Sequence, residues 1–512
     1  MNMLKVFRYK SKEQQAIYRL IKDNLDENSY LPSGFILPDD TPENQIKFVP
    51  GAMDGICVYH MASADANNAA ANLFKLIRRY SENSNLKNKK KISEFLNENN
   101  LISIIDPLLR NIQGNHSEMN PQAIFNIALD FMTNSTDKES VKLGIALAGL
   151  LGVDENNEGY KVVFTLGKYD EFSLYSIVTL SNWNGGNQFI FALAKELCGW
   201  GKIHAVERLE AQTQEIKDWI IKYGCNNMVM PAYLGLTCAQ KGDLISYLRQ
   251  EMLDKETFTG ASVIIDALLD EGPVQGISEY EHAEEAISLY LKHAKNLCKS
   301  LEDLFVILNV KYWLKNREDN NSRLLDLCDA IINNPEWKNL ILKTLNDYDA
   351  QSIFYVCNIA QRLGIDISES LFNLIENNPL EYSGYISGLY KSSEYAAKVT
   401  ALYEKGLPLD SIASGMGNLL GLGPEFKAHG CLDFLLQELK EYPGMGRSLV
   451  MVALNSPVIR NRNGACNVLE AWKEKGDTSL SQVDSELVYI IKRILAVEID
   501  DELKERYEKI LQ

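Results

Sequence analysis

Histidine, proline and closely spaced cysteines are scarce in this chain of 512 residues, and each scarcity excludes a class of protein. The 6 histidines include no pair four positions apart, which excludes a helical metal-binding pair. The 14 prolines are few for an all-β fold of this length. The 9 cysteines form no CxxC or zinc-knuckle spacing, so we expect free thiols in a reducing compartment.

The sequence also lacks a long apolar segment. Its longest apolar run, residues 143–153, is too short to cross the hydrocarbon core of a membrane. Residues 1–8 lack the apolar core of a secretory signal. We therefore predict a cytoplasmic protein without a membrane partner.

The acidic charge argues against a further class of partner. The formal net charge is −17, from 69 acidic and 52 basic residues. Because such a surface repels phosphate backbones, we expect no nucleic-acid partner.

Motifs for nucleotides, metal ions and nucleophilic serines are absent. There is no P-loop, EF-hand, kinase or GxSxG pattern. Residues 415–421 read GxGxxxG, but the dinucleotide fingerprint follows a strand, whereas residues 409–414 have the pattern of a helix start. We interpret these glycines as allowing a loop or close helix packing. We predict no metal site and no cofactor.

Helix-length segments with one apolar face fill most of the chain. Pro121–Met132 illustrates the pattern, with Asn120 as a candidate cap and an apolar stripe that includes Ile124 and Phe131. Further segments of this kind are predicted at Lys12–Leu25, Lys138–Leu151, Glu171–Leu180, Asn187–Leu197, Ile203–Gln212, Glu215–Tyr223, Met228–Gln240, Glu336–Asn346, Ala350–Leu363, Ser370–Glu376, Tyr382–Tyr390, Pro457–Lys475, Ser485–Val497 and Asp500–Leu511.

These segments predict an all-α fold, a HEAT-like or armadillo-type α-solenoid of stacked antiparallel helix pairs. Such helices bury their apolar faces only against neighbours. The proline-rich start predicts an irregular N-terminal cap over residues 1–62, followed by an N-terminal repeat half at 63–275 and a C-terminal half at 276–512. Residues 456–469, which open with Ser456-Pro457 and include Arg460, Arg462 and Ala465, have the pattern of a HEAT-type helix.

Two polar clusters are the candidate sites. Asp54 stands where a turn meets a helix, and His60 lies about two turns further along. In the second cluster a Gly-Trp-Gly turn around Trp200 leads into a helix that carries His204, Glu207 and Arg208. The spacing of these three residues places them on one face.

The second cluster has two interpretations. It could bind a ligand carboxylate or phosphate, or move a proton. Alternatively it is an inter-repeat ladder, in which Arg208 and Glu207 pair with neighbouring turns and Trp200 packs beneath the loop. We expect the ladder.

Two stretches carry a resemblance to a known family. Leu193 to Leu244, which includes Trp200 to Leu209 and Met230 to Leu234, resembles a family of uncharacterised bacterial HEAT-like repeat proteins, and so does Phe48 to Met61. Some members carry the label limonene hydroxylase, which implies oxygen chemistry on a monoterpene. This sequence has no haem-thiolate loop and no recognisable set of two histidines and one carboxylate. No catalytic residue of the family can be mapped onto it.

We therefore predict a non-catalytic scaffold whose curved helical surface binds a protein or peptide partner. The acidic charge favours a partner that is basic at least locally. The alternative is an enzyme of unknown reaction with a small polar pocket around His204, Glu207 and Arg208. The sequence leaves the oligomeric state open.

Overall fold

Most of the chain that the structure describes is helical. The structure, a computed structural model, describes residues 15–32, 34–38, 46–60, 66–115, 119–152, 157–272, 274–317, 321–347, 352–476 and 485–512. Within these ranges no β-strand forms, and the one extended pairing is an isolated parallel bridge between Leu419 and Val458. The all-α class is confirmed for this part of the chain. No helix in it combines the length and apolar character of a membrane span.

The chain divides into two compact units. The first unit is Met1–Cys298 with Asn309–Ile331, and the second is Lys299–Leu308 with Ile332–Gln512. The cap at 1–62 and the repeat halves at 63–275 and 276–512 stay predictions.

The helices are numbered in chain order. The first sixteen α-helices are α1 (Ile17–Asp23), α2 (Ala52–His60), α3 (Asn67–Glu82), α4 (Leu86–Glu98), α5 (Leu101–Gly114), α6 (Pro121–Asn134), α7 (Lys138–Ala148), α8 (Glu158–Gly167), α9 (Asp170–Ser181), α10 (Gly186–Glu196), α11 (Trp200–Arg208), α12 (Gln214–Trp219), α13 (Gly235–Lys241), α14 (Leu244–Leu248), α15 (Lys255–Leu269) and α16 (Ala283–Leu297).

The remaining described α-helices follow from residue 301. They are α17 (Leu301–Lys315), α18 (Ser322–Ile332), α19 (Glu336–Asn346), α20 (Ile353–Leu363), α21 (Ser368–Asn377), α22 (Ser393–Gly406), α23 (Leu409–Ile412), α24 (Lys427–Leu439), α25 (Arg447–Leu454), α26 (Ile459–Lys475), α27 (Ser485–Leu495) and α28 (Asp501–Leu511). Short 3₁₀ helices cover Pro231–Tyr233, Ile277–Glu279, Ser383–Gly388 and Pro424–Phe426, and Ile220–Gly224 is a π-helical turn.

Local signals explain where several helices begin. Asn120 caps α6 by accepting a hydrogen bond from the Gln122 amide at 2.8 Å, and Pro121 occupies the first turn. The apolar stripe of this helix, Ile124, Ile127, Ala128 and Phe131, is buried as predicted.

Within each unit, helices pack on their near neighbours in sequence. In the first unit α7 packs on α6 and α9, and α11 packs on α9 and α10. In the second unit α26 packs on α24, α25 and α28. Contacts with the next helix and the next but one are the pattern that stacked helix pairs produce.

Three predicted helices are wrong in type or extent. Residues 228–240 contain a loop, a 3₁₀ turn and α13 instead of one helix, because Met228 has a φ of 59° and the Asn227 side chain accepts hydrogen bonds from the Val229 and Met230 amides. The segment predicted at 382–390 contains a 3₁₀ helix, Ser383–Gly388, instead of an α-helix. The segment at 215–223 turns π-helical from Ile220.

Other predicted bounds shift by a few residues. The helix expected at 12–25 spans Ile17–Asp23, and residues 12–14 lie outside the described residues, as do residues 350–351 of the segment predicted at 350–363 and Val153 at the end of the apolar run. The described part of the predicted irregular cap also contains α2.

Candidate functional site in the first unit

Helices α2 and α11 bring the two predicted clusters together. Gly55 of α2 lies against the Trp200 indole, and a Cβ atom at position 55 would be only 2.2 Å from Trp200 Cε3. Glycine is therefore required where the two helices approach. The stretches around Asp54 and Trp200, separate in the sequence, form one region of the first unit.

An aromatic cluster forms the centre of this region. We define it as Tyr59, His60, Trp200, His204 and Tyr233. The rings of Tyr59 and His204 are nearly parallel, with centroids 6.2 Å apart, and Trp200 lies 6.4 Å from His204. Tyr233 contacts Tyr59 and Trp200 with centroids 4.9 and 5.2 Å away. The 3₁₀ turn at Pro231–Tyr233 thus supplies a member that sequence reasoning missed.

His204 is sealed inside the aromatic cluster. Its side chain is 1% exposed, and neither ring nitrogen has a hydrogen-bond partner within the described residues. Burial, with the nearby Arg208 charge, lowers the pKa of His204 to about 3. The imidazole is therefore neutral at physiological pH and a poor general base.

His60 lies at the exposed edge of the aromatic cluster. Its Nε2 is 2.6 Å from the hydroxyl of Tyr233, a hydrogen bond whose direction depends on the histidine tautomer. Burial is the cause that raises the pKa of the Tyr233 hydroxyl. This bond links the end of α2 to the 3₁₀ turn.

Arg208 contacts residues of its own helix, α11, and the inter-repeat ladder stays a prediction. Arg208 Nη1 contacts its own neighbour, Glu207 Oε2, at 3.5 Å and the carbonyl oxygen of His204 at 3.4 Å. Both side chains are about a third exposed. Lys241 of α13 donates to the Leu209 carbonyl at 3.0 Å and to the Glu207 carbonyl, so it stabilises the C-terminal end of α11.

Asp54 belongs instead to a buried ion-pair network, which we call the lysine hub. Its members are Asp54, Glu139, Lys142, Glu171 and Tyr175. Lys142, 3% exposed, lies 2.8 Å from Asp54, 2.8 Å from Glu139 and 2.6 Å from Glu171. The hub ties α2 to α7 and α9, and here an inter-helix ladder does exist.

Backbone amides complete the lysine hub. Glu139 accepts from the Leu101 amide at 2.8 Å, and Glu171 accepts from the Gly51 amide at 3.1 Å. Burial raises the pKa of Asp54 to about 6 despite the opposing effect of Lys142. Burial alone would lower the pKa of Lys142, but Tyr175 and the three carboxyl groups together raise it well above its usual value. Asp54 lies in the first turn of α2, which begins at Ala52.

The predicted Gly-Trp-Gly turn is in fact the first turn of α11. Asp170 Oδ1 accepts a hydrogen bond from the Gly201 amide at 3.0 Å, and a Cβ at Gly199 or Gly201 would come within 2.7 or 2.4 Å of the Asp170 carboxylate. Both glycines therefore allow a carboxylate to reach a helix N-terminus, where the helix dipole favours it. Burial raises the pKa of Asp170 to about 6.

These arrangements hold helices together and offer little to a substrate. His204 is enclosed, Asp54 is paired, and Trp200 is 6% exposed. In the described part of the chain, no group of three His, Cys, Asp or Glu side chains is arranged to hold a metal ion.

A groove in the second unit is a different kind of candidate. It has a volume of about 740 Å³ and lies between α20, the start of α21 and the 3₁₀ helix Ser383–Gly388. None of the six predicted site residues lines it.

The groove combines apolar and hydrogen-bonding groups. Phe354 is 48% exposed at its wall, Cys357 and Tyr385 are half-buried, and Ser387 is exposed. Burial raises the pKa of Cys357 to about 11, so this thiol is protonated and unreactive at neutral pH. Such a lining suits binding more than chemistry.

Sequence reasoning missed this groove because its lining residues are ordinary. One signal was present: Ser-Gly occurs twice, at 383–384 and 387–388, inside a segment predicted as an α-helix. Glycine is unfavourable in a helix interior and often marks a close backbone approach.

Comparison of the sequence with known protein families gives no matching family, and comparison with curated proteins gives no match either. The HEAT-like resemblance stays a prediction.

Proposed function

We propose that this chain is a non-catalytic, cytoplasmic binding protein of HEAT-like solenoid architecture that holds a segment of a protein partner. The groove of the second unit carries this proposal. Its volume falls in the range of about 300–1,000 Å³ that binding pockets occupy, and it is lined by aromatic, hydroxyl and amide groups.

The groove is suited to a polypeptide. Asn358 and Gln361 lie about one turn apart on α20, and an amide side chain can both donate to and accept from a peptide backbone. Phe354 and Tyr385 offer aromatic surface, the residue type enriched at binding hot spots. Asp366 and Lys391 supply one charge of each sign.

The alternative, an enzyme centred on His204, loses support from the geometry. A catalytic base must reach the proton it abstracts, and both nitrogens of His204 are enclosed by protein. A pKa of about 3 also leaves little driving force for proton abstraction at neutral pH.

The test is selection of displayed peptides on the purified full-length protein. Selected sequences should bind the wild-type chain and lose at least about 10-fold in affinity on Ser387→Arg, which places a long side chain at the groove without touching the core. The matched control is Ser181→Arg, an exposed position of the first unit, which should leave affinity unchanged.

Two outcomes contradict the proposal. One is a selection that yields no binder, and the other is a binder whose affinity Ser387→Arg leaves unchanged.

A further inference from the structure

The turn between α3 and α4 is the most exposed apolar point of the first unit. Residues 82–87, which we call the hairpin tip, are all exposed. Leu86, the first residue of α4, is 86% exposed, the highest value among the exposed large apolar side chains that the structure describes. A single exposed leucine is ordinary by itself, so its surroundings decide whether it marks an interaction surface.

Basic residues flank the hairpin tip on both helices. Together α3 and α4 carry seven basic and three acidic residues, a local charge of +4 in a chain whose net charge is −17. We call the six exposed basic residues the basic patch. They are Lys75, Arg78, Arg79, Lys87, Lys90 and Lys91. The sign of this surface is therefore opposite to that of the chain as a whole.

Helical spacing groups the members of the basic patch. Lys75, Arg78 and Arg79 stand at positions i, i+3 and i+4 of α3, and the three lysines of the patch on α4 repeat this spacing. Each set therefore lies on one face of its helix. Because α3 and α4 pack on each other and are joined by only three residues, the C-terminal half of α3 lies beside the N-terminal half of α4. Both basic faces thus lie at the end of the hairpin that carries Leu86.

Side-chain contacts fix the backbone of the hairpin tip. Asn85 Oδ1 accepts a hydrogen bond from the Asn88 amide at 2.9 Å, and Asn88 Nδ2 donates to the Asn83 carbonyl at 3.0 Å. Lys89, the one basic residue of the two helices outside the patch, is paired with Asp130 of α6 at 2.8 Å and so holds α4 to the rest of the unit. The hairpin tip is therefore preorganised, which lowers the entropy cost of binding.

The lysines of α4 oppose the electrostatics of their own helix. A helix N-terminus favours negative charge, yet the first turn of α4 has no acidic residue, and lysines at i+3 and i+4 repel one another. Two exposed ion pairs at 3.4 Å, Arg78–Glu82 and Lys90–Glu94, offset little of this repulsion. Among the residues that the structure describes, no carboxylate pairs with Lys75, Arg79, Lys87 or Lys91. Choices that oppose local stability are expected at sites that serve a function.

We propose that the basic patch and Leu86 form a docking surface for an anionic lipid membrane, which the α3–α4 hairpin meets with its tip. An anionic membrane surface attracts clusters of about four to eight lysine and arginine residues, and its interface also accepts an apolar side chain. Binding strength then comes from the charges and from the buried apolar area together. This inference goes beyond the proposed function of the groove and does not depend on it.

Leu86 favours a membrane over other anionic partners. The phosphate backbone of a nucleic acid would use the charges of the basic patch but would gain nothing from an exposed leucine. An acidic protein would need an apolar pocket placed in register with its carboxylates. A lipid interface needs no such matched geometry, because its headgroups and acyl chains rearrange around the hairpin tip.

The acidic charge of the whole chain is compatible with this partner. At about 0.1 M salt the Debye length is about 10 Å, so charges further than this from the lipid surface are largely screened. The 13 residues of α4 span about 20 Å, so its far end lies about two Debye lengths from a membrane that the hairpin tip touches. The prediction of no membrane partner was based on the lack of a spanning segment, which does not bear on contact at the surface.

The experiment is flotation of the full-length chain with lipid vesicles at about 0.1 M salt. Wild type should bind phosphatidylcholine vesicles that contain about one third phosphatidylserine, should not bind pure phosphatidylcholine, and should be released at about 0.5 M salt. The triple variant Lys87→Gln, Lys90→Gln, Lys91→Gln should bind about 100-fold more weakly, at about 5-fold per charge. Leu86→Ala should bind about 3- to 10-fold more weakly, because it removes apolar area from the interface.

Two controls match these variants. Glutamine at three exposed lysines elsewhere in the first unit, Lys161, Lys292 and Lys295, changes the net charge equally and should leave binding unchanged. Met252→Ala, at an 81% exposed apolar side chain, controls for Leu86→Ala and should also bind like wild type.

Several results would overturn the proposal. They are no binding of wild type to the phosphatidylserine vesicles, equal binding to pure phosphatidylcholine, equal losses in the triple variant and its lysine control, and unchanged binding of Leu86→Ala. Binding of a labelled DNA duplex, followed by fluorescence anisotropy, that displaces the vesicles and is insensitive to Leu86→Ala would assign the basic patch to nucleic acid instead. None of these results would change the peptide test of the groove, which lies in the second unit.

Discussion

The aromatic cluster with its lysine hub, in the first unit, and the groove, in the second, use polar residues in opposite ways. In the first unit Lys142 pairs with three carboxyl groups, and His204 is enclosed by aromatic rings. In the second unit Arg462, which is buried and paired with Glu498, donates to the Gly417 carbonyl. It thereby holds the loop at residues 417–423, in which Leu419, Leu420 and Leu422 are exposed. Charged and histidine side chains therefore serve internal packing in the first unit, whereas the exposed surface of the second unit is formed by residues that carry no catalytic motif.

The largest effect should come from removing the cation of the lysine hub. Lys142→Met leaves Asp54, which is buried, and Glu139 and Glu171, which are half-buried, without their common partner, so it should lower the free energy of unfolding by about 3–5 kcal/mol. Chemical denaturation measures it. The control Lys161→Met, at an exposed position of α8, should change stability by less than about 0.5 kcal/mol. Equal effects of the two variants would contradict a structural role for the hub.

A smaller loss should follow from separating α2 and α11. Gly55→Ala places a methyl group against the Trp200 ring and should cost about 1–3 kcal/mol of unfolding free energy. The control is Gly114→Ala in α5, where a Cβ meets no atom within 4 Å, and helix propensity favours alanine there by up to about 1 kcal/mol. If Gly55→Ala is neutral in thermal unfolding, the close approach is not tight.

The burial of His204 predicts an acid-dependent loss of stability. Its folded pKa of about 3 lies below the unfolded value of about 6.5, so its contribution is complete above pH 6.5 and is lost as the pH falls toward 3. Between pH 7 and pH 5 the loss should be about 2 kcal/mol.

The variant His204→Phe isolates this effect. Asp54 and Asp170 have folded pKa values raised to about 6, so their contributions change in the opposite direction over the same pH range. Only the difference between wild type and variant therefore reports on His204. Parallel stability curves for the two proteins between pH 5 and pH 7 would show that the imidazole is solvated.

The smallest effect should come from the exposed edge of the aromatic cluster. His60→Ala removes one hydrogen bond to Tyr233 and should cost about 0.5–1.5 kcal/mol at most. Tyr233→Phe removes the same bond and should give a similar value. A much larger loss of unfolding free energy in either variant would mean that this edge contributes more to stability than its exposure indicates.

The sequence predicted helices well where local signals decide the structure. Asn120 and Pro121 start α6 as expected, and Glu336–Asn346 forms a helix with the predicted bounds. The helix prediction was wrong where a side chain hydrogen-bonds to nearby backbone amides, as Asn227 does with the amides of Val229 and Met230. The spacing of apolar residues does not reveal where a side chain competes with the helix for backbone hydrogen bonds.

The candidate site was predicted in part. Asp54, His60, Trp200 and His204 lie in one region, and Tyr59 is the neighbour of His60. Their other partners, Lys142 and Tyr233, come from outside the two polar clusters, and neither cluster's pattern reveals them. The groove could not be predicted, because it depends on how α20, α21 and a 3₁₀ helix pack, and its residues carry no motif.

The most direct test compares the two regions in one binding measurement. A peptide selected on the wild-type chain is titrated against Ser387→Arg, which alters the groove, and His60→Ala, which alters the exposed edge of the aromatic cluster. We expect the first variant to weaken binding by at least about 10-fold and the second to leave it unchanged. Weakened binding to His60→Ala with normal binding to Ser387→Arg would contradict the assignment of function to the second unit.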